Sequence, residues 1–148
     1  MHAEESKTIL LVDQSDRDVD LFRRAADRSC GAEVQPVHSG QEALEYLRHG
    51  EDPLPQLIVV EIDLPSADAF ALLRFINEDR KMKAIPVVIL TTAYGDEQIE
   101  AARMIGAEAV FLKPDGLEEM EKLVHALCEV YIHFALPPVH PDREIALH

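Results

Sequence analysis

The sequence predicts an α/β domain built on a five-stranded, doubly wound parallel sheet, (βα)5. Three observations lead there. Short apolar runs alternate with amphipathic stretches along the chain, giving five βα units. The runs TILLV, LIVV and PVVIL show no polar alternation, the pattern of strands covered by helices on both faces. The connections are short, as βαβ crossovers in an open sheet require. A chain of 148 residues can bury one such core without staples.

The elements follow in order. Thr8–Val12 is the first strand. Asp16–Ala26 is a helix, with Val19, Phe22, Arg23 and Ala26 at helical spacing and Ser15 or Asp16 as its cap. Glu33–Val37 is the second strand. Ser39 and Glu42 form a capping-box pattern before the stripe Ala43, Leu44 and Leu47, and Gly50 and Pro53 stop that helix. Leu57–Val60 is the third strand, ended by Pro65. Ala69–Glu78 is a helix with a wide apolar face of Phe70, Leu72, Leu73, Phe75 and Ile76. Pro86–Leu90 is the clearest strand. Asp96–Ile105 is helical, with Ile99, Ala102 and Arg103 on its inner face and Gly106 at its end. Glu108–Leu112 is the fifth strand. Leu117–Tyr131 is a long helix with Leu117, Met120, Val124, Leu127 and Tyr131 on one stripe. The Pro-rich tail from Pro137 reads as an extension.

Composition narrows the function. Acids outnumber bases 28 to 14, a formal charge of −14. That argues against binding nucleic acid, which relies on Lys and Arg to neutralise phosphates, and against an anionic membrane surface. The start MHAEESK is polar and acidic, unlike a signal peptide, and no apolar run reaches the ~20 residues that span a bilayer. A cytoplasmic protein is expected. Cys30 and Cys128 have no CxxC partner and read as separate buried thiols. No GxGxxG or GxxxxGK[ST] follows the first strand, so neither a dinucleotide site nor a P-loop is supported.

In a doubly wound sheet, ligands sit at the carboxyl ends of the strands. There the sequence places Asp13 and Gln14 after the first strand, and Glu61 and Asp63 after the third. Thr91 ends the fourth and Lys113 the fifth. Glu61 and Asp63 are two apart, so they point to one side of an extended strand. Crowded carboxylates suit a hard cation such as Mg²⁺, and the Lys and Thr suit a phosphoryl group.

The segments ILLVDQSDRD, LIVVEIDLP, IPVVILTT and GAEAVFLKP together resemble a response-regulator receiver domain of two-component signalling, over about residues 7–131. PVVILTT and the apolar end of the last helix resemble the small single-domain regulators associated with bacterial phytochromes. The resemblance implies the flavodoxin-like receiver fold over residues 7–132, with 133–148 as a C-terminal extension. In receivers, an Asp on the third strand takes phosphate from a histidine kinase. Two acids after the first strand join it in holding Mg²⁺. A Thr or Ser and a Lys contact the phosphoryl group, and an aromatic on the fifth strand reports the state.

This chain departs from that pattern. The phosphoacceptor position holds Glu61, the acid pair is Asp13 and Gln14, the aromatic is Val110, and a loop Gly is Ala69, whereas Thr91 and Lys113 match. Glu carries one extra methylene, a displacement of roughly 1.5 Å. A misplacement of about 1 Å can cost on the order of 100-fold in rate. Glu61 therefore reads as a buried acid paired with Lys113, or as a phosphomimetic. Val110 reads as core packing. Mg²⁺ is expected to bind weakly or not at all.

The expected function is that of a pseudo-receiver, not an enzyme, acting in phosphorelay signalling by protein–protein contact. Its partners would be a sensor histidine kinase or another signalling protein, and a second copy of itself. VYIHFAL, residues 130–136, has six apolar residues of seven and suggests dimerisation through the last helix and the extension. Residues 96–129 hold nine acids and three bases, either a solvated face or a docking surface. The alternatives are a receiver phosphorylated on Glu61 or Asp63 with Mg²⁺, and a small Mg²⁺-dependent phosphatase.

Overall fold

A computed structural model describes residues 7–49, 54–61, 67–93 and 95–133. The elements run β1 (Thr8–Val12), α1 (Asp16–Ser29), β2 (Glu33–Val37), α2 (Gly40–Arg48), β3 (Leu57–Glu61) and α3 (Ala67–Glu78). A 3₁₀ turn (Met82–Ala84), β4 (Val87–Thr91), α4 (Asp96–Met104), β5 (Ala109–Leu112) and α5 (Leu117–Leu127) follow. The strands form one parallel sheet in the order β2-β1-β3-β4-β5. This is the doubly wound α/β fold that the apolar runs predict. Strand order reverses between β1 and β3, so the crevice lies outside their carboxyl ends.

Alternation along the strands divides the core in two. Ile9, Leu11, Leu57, Val59, Val88 and Leu90 pack with Phe22 of α1 and Val124 of α5. Leu10, Val12, Ile58, Val60 and Ile89 pack on the other face with Leu47, Leu72, Ile76 and Ala102 from α2, α3 and α4. Val110 joins this second cluster and is buried, as expected. Pro36 is tolerated in β2 because that strand is an edge, where a missing N–H breaks no inner ladder.

Local chemistry sets the ends. Ser15 caps α1, its Oγ accepting from the Asp18 N–H at 3.3 Å. Ser39 caps α2 in the same way, accepting from the Glu42 N–H at 3.1 Å. The capping box is displaced by one residue, since the Glu42 carboxylate accepts from the His38 N–H at 2.9 Å. Gly31 closes α1 at φ +67, and its N–H reaches the Ala26 carbonyl at 2.9 Å.

Several expectations need correction. Ala25, not Arg23, lies on the buried face of α1, and Ala101 joins Ala102 on that of α4 while Arg103 is exposed. Ala69 is a buried residue of α3, not a loop residue. The last helix is α-helical only to Leu127, and Cys128–His133 continue as a π-helical turn. Leu117 lies 39% exposed at the first position of α5. Cys30 and Cys128 are not separate thiols. They form a disulfide with Cα atoms 5.9 Å apart, because α1 and α5 lie side by side on one face. The stop signals Gly50, Pro53 and Pro65 lie outside the described residues, as does the apolar segment beyond His133.

These placements separate two leucines of α5. Leu127→Ala should cost about 2–5 kcal/mol in urea unfolding, since it empties a site in the buried cluster. Leu117→Ala should cost under about 0.5 kcal/mol, as exposed substitutions usually do.

Candidate functional site

The alternation that builds the core also builds the site. On β3, Leu57 and Val59 face α1 and α5, and Glu61 continues that set. Asp13 follows Ile9 and Leu11 in the same phase, and Lys113 follows Phe111. Three strand ends therefore deliver their ionisable groups to the side of the sheet where α1 begins.

The four groups found there form one ion-paired cluster. Lys113 Nζ lies 2.7 Å from Asp18 Oδ2, 3.1 Å from Asp13 Oδ2 and 3.2 Å from Glu61 Oε1. The side chains of Lys113 and Asp13 are 9% and 3% exposed. Asp13 Oδ1 also accepts from the Ser15 N–H at 2.9 Å, which ties the β1 end to the helix cap. The Lys113 N–H donates to the Thr91 carbonyl at 2.8 Å, which fixes the end of β5 against β4. Burial alone would lower the Lys113 pKa. The hydrogen bond to Asp18 and the charges of Asp13 and Glu61 outweigh it and hold the group above the ordinary lysine value.

Of the residues expected at the site, Asp13, Glu61 and Lys113 come together. Gln14 is exposed and lies outside the cluster. Thr91 is buried, and its hydroxyl is turned into the following loop, where it accepts from the Ala93 N–H at 3.1 Å and lies 3.2 Å from the Ala93 carbonyl. Asp63 lies outside the described residues. Asp18 is the residue that sequence reasoning missed. Its signal was present: it stands three residues after the cap Ser15, in the first turn of the helix that overhangs the crevice. A carboxylate is favoured there by the N-terminal partial charge of α1. Its second oxygen, Oδ1, meets the exposed Arg17 at 3.6 Å.

A divalent cation would need several oxygens aimed at one open point. Here the carboxylates of Asp13, Asp18 and Glu61 are aimed at an ammonium instead. Among the described residues, no group of three or more His, Cys, Asp or Glu side chains is arranged to hold a metal ion. The arrangement does not fit Mg²⁺ as it stands.

A doubly wound sheet with acids at its switch point and a lysine just after the last strand defines the receiver class of signalling module. The chain belongs to the response regulator receiver domain family, whose profile matches residues 9–125. It is 28% identical over 142 residues to the probable methanogenesis regulatory protein FilR2 of Methanothrix harundinacea (strain 6Ac), covering 93% of this chain and 92% of that protein. It is 29% identical over 126 residues to response regulator Rcp1 of Synechocystis sp., covering 82% and 86%. Among solved structures, the phosphorylated cyanobacterial phytochrome response regulator RcpA matches with TM-score 0.79 and 29% identity, over 90% of this chain and 99% of that one. The Mn²⁺-bound form of Rcp1 matches with TM-score 0.75 and 28% identity, over the same shares.

The raised pKa of Lys113 has a signed consequence. An unfolded lysine titrates near 10.4. Stability from the cluster is complete below that value and is lost as pH rises through the higher folded value. Urea unfolding of the wild type should therefore weaken on the alkaline side, and Lys113→Met should lack that component. At neutral pH the variant should be about 3 kcal/mol less stable, since it strands three carboxylates.

Proposed function

We propose that this receiver domain signals by protein–protein contact in the cytoplasm, without conventional aspartyl phosphorylation and without catalysing a reaction of its own. One observation carries the reading. The phosphoacceptor position holds Glu61, and its carboxylate is 3.2 Å from a lysine that Asp13 and Asp18 also hold. The proposed role of Glu61 is to occupy the place of a phosphoryl group and keep Lys113 drawn in. Thr91 and Val110 stand at the switch-equivalent positions of this reading. Thr91 is already turned towards the loop after β4, and Val110 is packed into the core. The proposed partners are a sensor histidine kinase or another signalling protein.

Residues 7–132 are proposed as the signalling domain and 133–148 as an extension that serves as a dimerisation arm. Four large apolar side chains exposed among the described residues support a homodimer. Met104 ends α4, Leu112 ends the edge strand β5, Leu117 starts α5, and Val130 lies in the π-helical turn that leads to the extension. Nucleic acid is not a proposed partner, given the charge of −14. No helix of the described residues is long and apolar enough to cross a membrane.

A second reading has support too. Three carboxylates against one ammonium leave the crevice formally negative, and a divalent cation that displaced Lys113 would meet Asp13, Asp18 and Glu61, with Gln14 exposed outside them. RcpA is known phosphorylated and Rcp1 with Mn²⁺ bound. On this reading Glu61 or Asp63 accepts the phosphoryl group.

Intact mass after incubation with Mg²⁺ and an acyl phosphate separates the two. The wild type is expected to show no phosphoryl adduct, and the pair Glu61→Asp with Gln14→Asp is expected to gain one. An adduct on wild-type Glu61 or Asp63 would establish the second reading instead. For assembly, light scattering of the full chain should return twice the monomer mass, and truncation after residue 132 should weaken association. A monomer at high concentration would remove the arm.

A further inference from the structure

The end of the molecule opposite the crevice holds a second cluster of contacts. Cys30 is the C-cap of α1, and Cys128 opens the π-helical turn. Their Cα atoms, 98 residues apart in sequence, stand 5.9 Å apart, within the span of a disulfide. Cys128 is fully buried and Cys30 is half-buried. Around this pair, Lys7 Nζ donates to the Ile132 carbonyl at 2.7 Å, and His133 Nε2 lies 3.3 Å from the Ser29 carbonyl. Arg28 meets Glu121 at 2.9 Å between α1 and α5. Tyr131, in the same turn, has its phenol pushed up to about 12 by burial and then by Glu108.

We infer that Cys30 and Cys128 form a redox-responsive clamp, which holds the turn Cys128–His133 against the end of α1 when oxidised and loosens it when reduced. Among the described residues, the polar contacts from α5 and the turn to α1 that would remain after reduction are weak. The Arg28–Glu121 pair and the His133 contact are solvent-exposed, where such contacts contribute little. The bond is therefore the covalent tie between the turn and α1, added to the packing of Ile132 in the buried cluster and to the Lys7 hydrogen bond. Given the cytoplasmic placement proposed above, a disulfide there is of the transient, redox-sensing kind.

The exchange is chemically complete with a dithiol reductant. A thiolate of the reductant attacks Cys30 Sγ, the less buried partner. The Cys30–Cys128 bond breaks, and Cys128 leaves as a thiolate that takes a proton. The second thiol of the reductant then attacks the mixed disulfide and releases Cys30. Two electrons and two protons pass to the protein, and the reductant becomes a disulfide. Oxidised glutathione reverses the process through the same mixed-disulfide chemistry.

The test uses the full chain. Alkylation before and after dithiothreitol, read by intact mass, counts the free thiols. Hydrogen exchange then follows the amides of residues 129–133. After oxidised glutathione the chain should take no alkyl group, and after dithiothreitol it should take two. Reduction should speed exchange in the turn by about 10-fold or more while β1, β3 and β4 keep their protection. In hydrogen exchange, Cys30→Ser should match the reduced protein in either condition, while its single thiol takes one alkyl group after dithiothreitol. Two alkyl groups taken after oxidised glutathione would overturn the clamp. So would unchanged exchange in the turn, or a loss of protection spread evenly over the fold.

Discussion

The acidic cluster at the carboxyl ends of the strands is organised by one ammonium group. Lys113 must satisfy carboxylates from β1, α1 and β3 at once. A parallel sheet makes the problem unavoidable, because all five strands end at the same side. Acids placed after β1 and β3 are neighbours by topology, whatever their distance in sequence. Like charges so crowded would repel, and removing them from water would add to the cost. The lysine just after the edge strand answers both, and the three carboxylates around it outweigh its burial and raise its pKa. The helix cap at Ser15 takes part as well: its N–H steadies Asp13, and its hydroxyl accepts from the N–H of Asp18.

Most of the fold was legible in the sequence. Strands buried on both faces cannot alternate, so TILLV, LIVV and PVVIL announce themselves. Edge strands and helix ends are harder. Leu117 fits the stripe of α5 by spacing, yet it is the first residue of the helix and lies exposed. Spacing carries no information about where a helix begins relative to its support. The same limit hid the π-helical turn, since the apolar pattern continues through Cys128 and Ile132 while the backbone changes its repeat.

The site was legible in part for a related reason. Residues at strand ends are placed by topology alone, so Asp13, Glu61 and Lys113 could be assembled from order and spacing. Asp18 is placed by the pitch of α1 and its tilt over the crevice, which strand order does not fix. The disulfide was missed in the same way. Cys30 and Cys128 meet only because α1 and α5 share a face, and neither lies in a strand. In both cases the missing information is helix packing, which apolar periodicity implies but does not orient.

Asp18 also changes what the substitution at residue 14 means. Read from the strand ends alone, Gln14 costs the crevice one of its acids. With Asp18 counted, the crevice holds three carboxylates, and the shortest contact to Lys113 is the one from α1. On the proposed reading, any release of Lys113 has to break that contact. A lysine held only by Glu61 could be released by any change at β3. A lysine held by Asp13 and from α1 as well stays in place unless those contacts, the one from the first turn of α1 among them, are broken too. Signalling by contact would then act through α1, whose first turn meets the crevice and whose C-cap Cys30 meets the C-terminal turn. The two ends of one helix of 14 residues thus connect the acidic cluster to the segment proposed for assembly.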